Sequence, residues 1–417
     1  MKEHKRLEYK REITDSFLKT VSAFANYDGG DIVFGISDTG QKVGIKNIDD
    51  TCLAIENKIN DSVAPKPDFT LSVKEKDSTI VLHVDKGFHP PYYYKKKAYK
   101  RNDTSTVEVD TFELKRLILA GENLNFEDIP SRNQELTFQY LSQKFESVLR
   151  IEKIDINILK TLNLFTENKG FNVAAELLSD QNSFRGVDVA RFGETMDVFL
   201  DRATFENASL VEIFDETIKK FETYYSYEKV VGATREKTYT IPYTAFREAL
   251  ANALVHRHWD IDARVRVSMF DDRVEIVSPG GLPDGMSKEE YLHGKVSVFR
   301  NPIVSNVFFR LGIIETFGTG IIKIKQAYEQ LKLKPQFDLY ENSITIILPT
   351  RNAQVTLTPD EQKVFEYVSG GKVLSSSEIA TAMGWSKGKT IQVIKALVAS
   401  RLLKAEGSGR GTKYRNA

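Results

Sequence analysis

The chain has 417 residues, 41% hydrophobic and 28% charged, and its 58 basic and 58 acidic side chains give a formal net charge of zero. That length exceeds what one hydrophobic core usually serves, so two or three domains are expected, and the charge balance excludes a chain that is basic throughout. A single cysteine, Cys52, excludes an internal disulfide and a Cys-rich zinc site and fits a reducing compartment.

No apolar run approaches the roughly 18 residues of a membrane span. The opening Met1-Lys-Glu-His-Lys-Arg-Leu-Glu8 lacks the apolar stretch of a secretory signal, so no membrane partner and a cytoplasmic location are expected. Charge is unevenly spread: nine basic and two acidic residues between Gly370 and Ala417 give +7, which leaves −7 for the rest. Such asymmetry points to a polyanion partner at the C-terminus.

In chain order, Ile13, Phe17, Val21, Phe24 and Ala25 predict a helix over 13–26, broken by Asn26-Tyr-Asp-Gly-Gly30. A buried strand is predicted at 31–36, a further strand at 43–45 after the Thr39-Gly40 turn, and strands at 69–73 and 78–84. Helix 111–120 leads to a polar stretch around 127–132 that closes a first α+β domain near residue 150. Residues 155–180 read as helical, 187–192 as a strand, and 209–226 and 243–258 as helices. Strands 265–270 and 273–277 flank Asp271-Asp272, a tight hairpin signal. Gly318-Thr-Gly320 introduces helix 321–332, and 343–348 closes a second domain, 151–350. Polar residues 351–358 read as a linker to a third domain, 351–417.

In that last segment Thr358-Pro359 caps and opens a helix. A short helix through Met383 follows, then a turn at Gly384-Trp-Ser386 and a helix over 387–400 with Ile391, Ile394, Leu397 and Val398 on one face. Residues 402–405 and 413–415 form a hairpin with a basic, glycine-rich tip. Three helices and a wing make the winged helix-turn-helix pattern, whose third helix enters the major groove. Lys387 and Lys389 would then face DNA, and Arg410, Lys413 and Arg415 would neutralise phosphates. A small dimerisation module with a basic surface is the other reading of the same pattern. A homodimer is expected because winged helices often pair on half-sites.

At the front, Glu3, Glu8 and Asp38 are candidate ligands for Mg²⁺ or Mn²⁺, since a hard divalent cation needs several carboxylate oxygens and phosphodiester cleavage needs such a cation. Lys10 would offset charge on a scissile phosphate. Solvated surface acids are the alternative. Tyr92-Tyr-Tyr-Lys-Lys-Lys97 with Lys100 and Arg101 interleaves cations and aromatics; Lys95, Lys96, Lys97 and Arg101 would suit single-stranded nucleic acid. A solvated strand edge reads the same way.

Glu3-x4-Glu8-Tyr-Lys10, Val21-Ser-Ala-Phe-Ala-Asn26-Tyr-Asp-Gly-Gly30 and Gly35-Ile-Ser-Asp38-x-Gly40 together resemble the Schlafen-type AlbA domain, over residues 1 to about 120. In nuclease members of that family a Glu-x4-Glu pair and an Asp form a metal-dependent RNA-cleaving triad. The resemblance implies that role for Glu3, Glu8 and Asp38, with RNA or tRNA as substrate.

In the middle, Arg247-Glu248-Ala-Leu-Ala-Asn252-Ala-Leu-Val-His256 is an amphipathic helix on which Glu248, Asn252 and His256 share a face. His256 and His258, two apart, point to different faces and make no zinc pair. The segment is similar to the N-box helix of GHKL-type ATPases, which implies ATP, Asn252 as the Mg²⁺ residue and Glu248 as the candidate base. Gly318 and Gly320 would offer backbone N–H groups to phosphate. Residues from about 155 to 350 resemble the GHKL-like half of Schlafen-related transcriptional regulators. The Asp-x-Gly-x-Gly adenine box of that fold is absent, with Ser278-Pro-Gly-Gly281 near its place. A degenerate fold serving dimerisation or signal relay is the alternative.

Two functions follow: a nucleotide-responsive, DNA-binding transcriptional regulator, or a metal-dependent RNA or tRNA endonuclease acting in defence or stress. The fold class expected is a multidomain α+β chain: an AlbA-like domain, a GHKL-like sandwich and a winged helix.

Overall fold

A computed structural model of the chain describes residues 3–37, 39–232, 234–283, 285–294, 298–315, 318–351, 358–369, 372–399, 402–407 and 411–416. It is a mixed α+β structure in two compact units, Met1–Gln134 with Leu159–Glu176, and Glu135–Ile158 with Leu177–Ala417. Among the described residues no helix is long and apolar enough to cross a membrane.

The first unit begins with β1 (Leu7–Lys10), α1 (Phe17–Asn26), β2 (Gly30–Phe34), α2 (Ile48–Ser62), β3 (Val63–Ala64), β4 (Phe69–Lys74) and β5 (Thr79–Val84). β6 (Tyr93–Tyr94), β7 (Lys97–Asn102), β8 (Ser105–Glu108) and α3 (Thr111–Gly121) follow. One sheet has the order β1-β2-β5-β4, with β1 parallel to β2 and the other pairs antiparallel; a second runs β3-β6-β7-β8. α1 is buried on almost every side, and Phe17, Val21 and Phe24 share a core with Ile32, Phe34, Ile55, Ile80, Leu82 and Tyr99. Burying each such aromatic ring contributes about 2–3 kcal/mol.

The Ala-Phe-Ala-Asn-x-x-Gly-Gly run is a staple for this core. Asn26 Nδ2 donates to the Tyr92 carbonyl at 3.0 Å while its Oδ1 accepts the Tyr92 N–H at 2.6 Å. Gly29 has φ of +67°, and a Cβ at Gly30 would sit 2.8 Å from the Phe24 ring. Larger residues would therefore push β2 off α1.

The chain continues through α4 (Gln139–Leu149), α5 (Ile156–Thr161), the hairpin β9 (Phe165–Thr166) and β10 (Gly170–Phe171), and α6 (Val173–Leu178). The continuous helix predicted over 155–180 is thus two short helices split by a hairpin. Asn163 and Gly170 adopt left-handed φ values, which a helix cannot include. The strand predicted at 43–45 is also absent. The chain there is held by the Val43 and Gly44 N–H groups, both donating to Gly35 O, and by Ile45 N–H to Ser78 O, and Val43 is exposed.

In the second unit come β11 (Val187–Phe192), β12 (Phe199–Phe205), α7 (Leu210–Tyr225), β13 (Ser226–Val231), β14 (Thr234–Tyr239), α8 (Tyr243–Val255), β15 (Val265–Met269) and β16 (Arg273–Pro279). α9 (Lys288–His293), α10 (Pro302–Arg310), α11 (Gly320–Ala327), β17 (Gln336–Leu339) and β18 (Ser343–Pro349) complete that part. The six-stranded sheet has the order β12-β11-β15-β16-β18-β17, parallel only between β11 and β15. α8 is buried almost all round, and Phe246 stacks on Phe221 of α7 at 3.9 Å. Ser278 Oγ donates to the Ala253 carbonyl at 2.8 Å, tying β16 to α8.

The last elements are α12 (Pro359–Val368), β19 (Leu374–Ser375), α13 (Ser376–Met383), α14 (Lys387–Ala399), β20 (Leu403–Glu406) and β21 (Lys413–Asn416). Capping boxes at Thr358/Glu361 and Ser375/Glu378 start α12 and α13. Three helices enclose Val364, Val368, Ile379, Ile394, Leu397 and Leu403, beside a β19-β21-β20 sheet.

Candidate functional site

In the first unit β1 sets Glu8 beside Ile32 of β2, so its side chain lies on the core face of the sheet. There its two oxygens are both taken by cations: Oε2 accepts from Arg101 Nη1 at 2.8 Å and Oε1 meets Lys10 Nζ at 2.5 Å. Arg101, on β7, also donates to Thr106 Oγ1 at 3.1 Å and stands 6.0 Å from the centre of the Phe24 ring. Glu3 Oε1 accepts the Tyr9 N–H at 2.7 Å. Asp38 lies outside the described residues, among which no three His, Cys, Asp or Glu side chains form a group able to hold a metal ion.

Arg101 was expected on the surface as a nucleic-acid contact. Its side chain is 3% exposed, because the ion pair with Glu8 draws it into the core. Lys97 pairs with Glu108 at 2.6 Å, and Lys100 with Glu113 at 2.7 Å. Lys95 and Lys96, with φ of 50° and 64°, form the tight turn between β6 and β7, where Lys95 Nζ lies 5.2 Å from the Tyr94 ring. Among the described residues, this tip presents the cations of the predicted cluster that form no ion pair.

In the second unit α8, α9, α11 and the loops beside them line a pocket. Glu248, Asn252 and His256 line it together with Gly318 and Gly320. Gly320 opens α11, and a Cβ there would come 2.8 Å from Asn252 Nδ2. Glycine is what allows the α11 N-terminus, with its free N–H groups and positive dipole end, to approach the Asn252 amide.

Glu248 is 2% exposed and accepts from Arg247 Nη2 at 2.9 Å, with Lys323 Nζ at 4.0 Å. Burial pushes its carboxyl above the usual carboxylate range, and Arg247 and Lys323 only partly offset this. Lys323 also pairs with Glu315, whose carboxyl is held below its usual range by that contact. Burial, aided by the Arg300 guanidinium, holds the His256 imidazole down at about 4, so it is neutral near pH 7. Arg300 donates to the His256 carbonyl at 2.5 Å and to the Gly281 and Leu282 carbonyls at 3.1 Å, locking the Ser-Pro-Gly-Gly loop to the end of α8.

Sequence reasoning missed Lys323, Glu315 and Phe299. Glu315-x2-Gly318-x-Gly320-x2-Lys323 carries a usable signal: on a helix opened by Gly320, Lys323 lies one turn in, beside the pocket carboxylates Glu248 and Glu315.

At the C-terminus, Lys389 pairs with Asp360 of α12 at 2.7 Å and lies 4.3 Å from the Trp385 ring. Arg415 Nε pairs with Glu406 at 2.6 Å across the β20–β21 ladder. Lys387 and Lys413 have no ion-pair partner among the described residues, and Arg410 lies outside them.

Residues 3–110 match the family described as "Schlafen, AlbA_2", and residues 262–348 match the family described as "Putative ATP-dependent DNA helicase recG C-terminal". The chain therefore carries a Schlafen AlbA_2 segment and an ATPase-type segment; α8 lies just ahead of the second match. Among curated proteins no relative matches. A solved structure that is similar is the DIP2311 protein from Corynebacterium diphtheriae, at 17% identity and a TM-score of 0.46, covering 99% of this chain and 95% of that one. Another is the N-terminal domain of a RecG-related protein from Nitrosomonas europaea, at 23% identity and a TM-score of 0.21, covering 26% of this chain and 83% of that one.

Proposed function

We propose that the chain is a nucleotide-responsive, nucleic-acid-binding transcriptional regulator, in which a GHKL-like pocket takes ATP with Mg²⁺ and a C-terminal winged helix reads DNA. The observation that carries this reading is the approach of the α11 N-terminus to Asn252, made possible by Gly320. A side-chain amide beside a helix N-terminus suits a magnesium-bound polyphosphate: Asn252 would hold the metal and the start of α11 would hold phosphate oxygens. Magnesium there would supply charge neutralisation between phosphates. Glu248, one turn away and raised by burial, is placed to take a proton from a water, while Lys323 and Arg247 hold its carboxylate in one orientation.

In the same reading α14 enters the major groove with Lys387 foremost, β20–β21 is the wing, and two copies bind two half-sites as a homodimer. The turn at Lys95-Lys96 adds a weak contact to a nucleic-acid backbone. The AlbA_2 match supports the endonuclease reading as well, yet both Glu8 oxygens are engaged by cations, which favours a structural role for that carboxylate.

The test is direct. Purified protein should bind ATP with Mg²⁺ in calorimetry and protect a duplex in footprinting, and truncation after Thr356 should abolish only the footprint. Metal-dependent tRNA cleavage, lost in a Glu8→Ala variant that circular dichroism shows to be folded, would replace this reading with the nuclease one.

A further inference from the structure

The pocket has two chemically distinct ends. At one, Asn252, Gly320, Glu248 and Glu315 gather polar and charged groups, with Lys323 behind the two carboxylates. One helical turn further along α8 stands His256, whose ring stacks on Phe299 with centroids 5.6 Å apart and planes 10° off parallel. Phe299 and Val298 line the pocket beside it. Neither ring nitrogen of His256 hydrogen-bonds to another described residue. A flat, largely apolar recess with one polar edge is what a nucleobase requires.

The carboxylates lining the described pocket are Glu248 and Glu315, and each is tied to a cation, Arg247 or Lys323. Neither is available as a fixed acceptor that would select an exocyclic amino group. Resting on the nucleotide reading of this pocket, we propose that His256 is its base-facing binding residue, and that it accepts adenine and guanine nucleotides alike. A neutral imidazole offers one donor and one acceptor, and the tautomer adjusts to the ligand. It can therefore accept from a 6-amino group or donate to a 6-oxo group, whereas a carboxylate can only accept. The three Arg300 hydrogen bonds keep the residue in place without occupying its ring.

The experiment titrates ATP, GTP and inorganic tripolyphosphate, each with Mg²⁺, into the full chain and into its His256→Ala, His256→Gln and Asn252→Ala variants. ATP and GTP should bind the wild type within about tenfold of one another, that is within 1.4 kcal/mol. His256→Ala should weaken both nucleotides at least about tenfold and leave tripolyphosphate unchanged, which also certifies that the variant is folded. His256→Gln, whose amide carries both a donor and an acceptor, should recover part of the loss. Asn252→Ala should weaken all three ligands. A preference for ATP above about a hundredfold, or nucleotide affinities untouched in His256→Ala, would overturn the inference while the nucleotide site stands. Failure of all three ligands to bind the wild type would instead remove the nucleotide reading itself.

Discussion

Glu8 and Glu248 are both buried glutamates beside an arginine, yet their surroundings give them opposite prospects. Glu8 has each oxygen matched by a cation, and the second of these, Arg101, is itself buried. Glu248 has one close partner, a second at 4.0 Å, and an open pocket in front of it. A carboxylate neutralised on both oxygens serves the core, whereas one with a single close partner at a pocket wall can serve a ligand. Motif position alone did not distinguish them.

The hardest blow to that contrast comes from Glu8→Ala. It strands the Arg101 guanidinium in the core, and breaking a buried pair from one side costs about 3–5 kcal/mol. Chemical denaturation should show a correspondingly lower midpoint, partly restored when Arg101→Met is added. An unchanged midpoint would mean that Glu8 is not structural after all.

Gly320→Ala tests the other side. The new Cβ meets Asn252, so ATP affinity in calorimetry should fall at least about tenfold, with the melting temperature nearly unchanged. A large loss of stability without loss of binding would move Gly320 from the pocket to the core.

The same logic applied to the C-terminal module yields smaller effects. Lys387→Ala and Lys413→Ala should each weaken duplex binding and lower the salt slope by about one unit, as expected for a lost phosphate contact. Lys389→Ala and Arg415→Ala should change the slope less, because Asp360 and Glu406 already hold those cations. Equal slopes for all four would show that these internal pairs open on binding.

The smallest effect concerns His83, whose pKa is raised above its ordinary 6.5 by its hydrogen bond to Asp31. The folded state then binds the extra proton more tightly. Its contribution to stability is fully present below about pH 6.5 and fades as the pH rises through the higher folded value. Both side chains are nearly half exposed, so the change in melting temperature across that window should be slight, and absent in His83→Ala.

Much of the architecture was legible because it rests on local signals. Thr358-Pro359 announces a helix start, and Asp271-Asp272 announces a hairpin. α8 was recognised with its polar stripe in place, since Glu248, Asn252 and His256 do line one pocket. What escaped depends on distance in sequence. Nothing near Arg101 reveals a partner 93 residues away, so a buried ion pair looked like a surface cation. α2 was missed although Ile48, Cys52, Ile55 and Ile59 recur at helical spacing and pack on one core, because charged and polar residues separate them throughout. The Thr166–Gly170 hairpin was missed although Asn168-Lys-Gly170 is itself a turn signal.

The first compact unit is interrupted in sequence, and that has a bearing on how the chain acquires its shape during synthesis. Residues 159–176 belong to it, through the Ser131–Glu176 bond at 2.6 Å and the Pro130–Asn172 bridge, while 135–158 do not. A ribosome therefore delivers α4 before the earlier unit is complete, and this unit cannot close until about Glu176 has emerged. A fragment ending near residue 150 would leave the Ile129–Gln134 backbone without the strand that receives it, and a soluble fragment should instead be carried through Leu178.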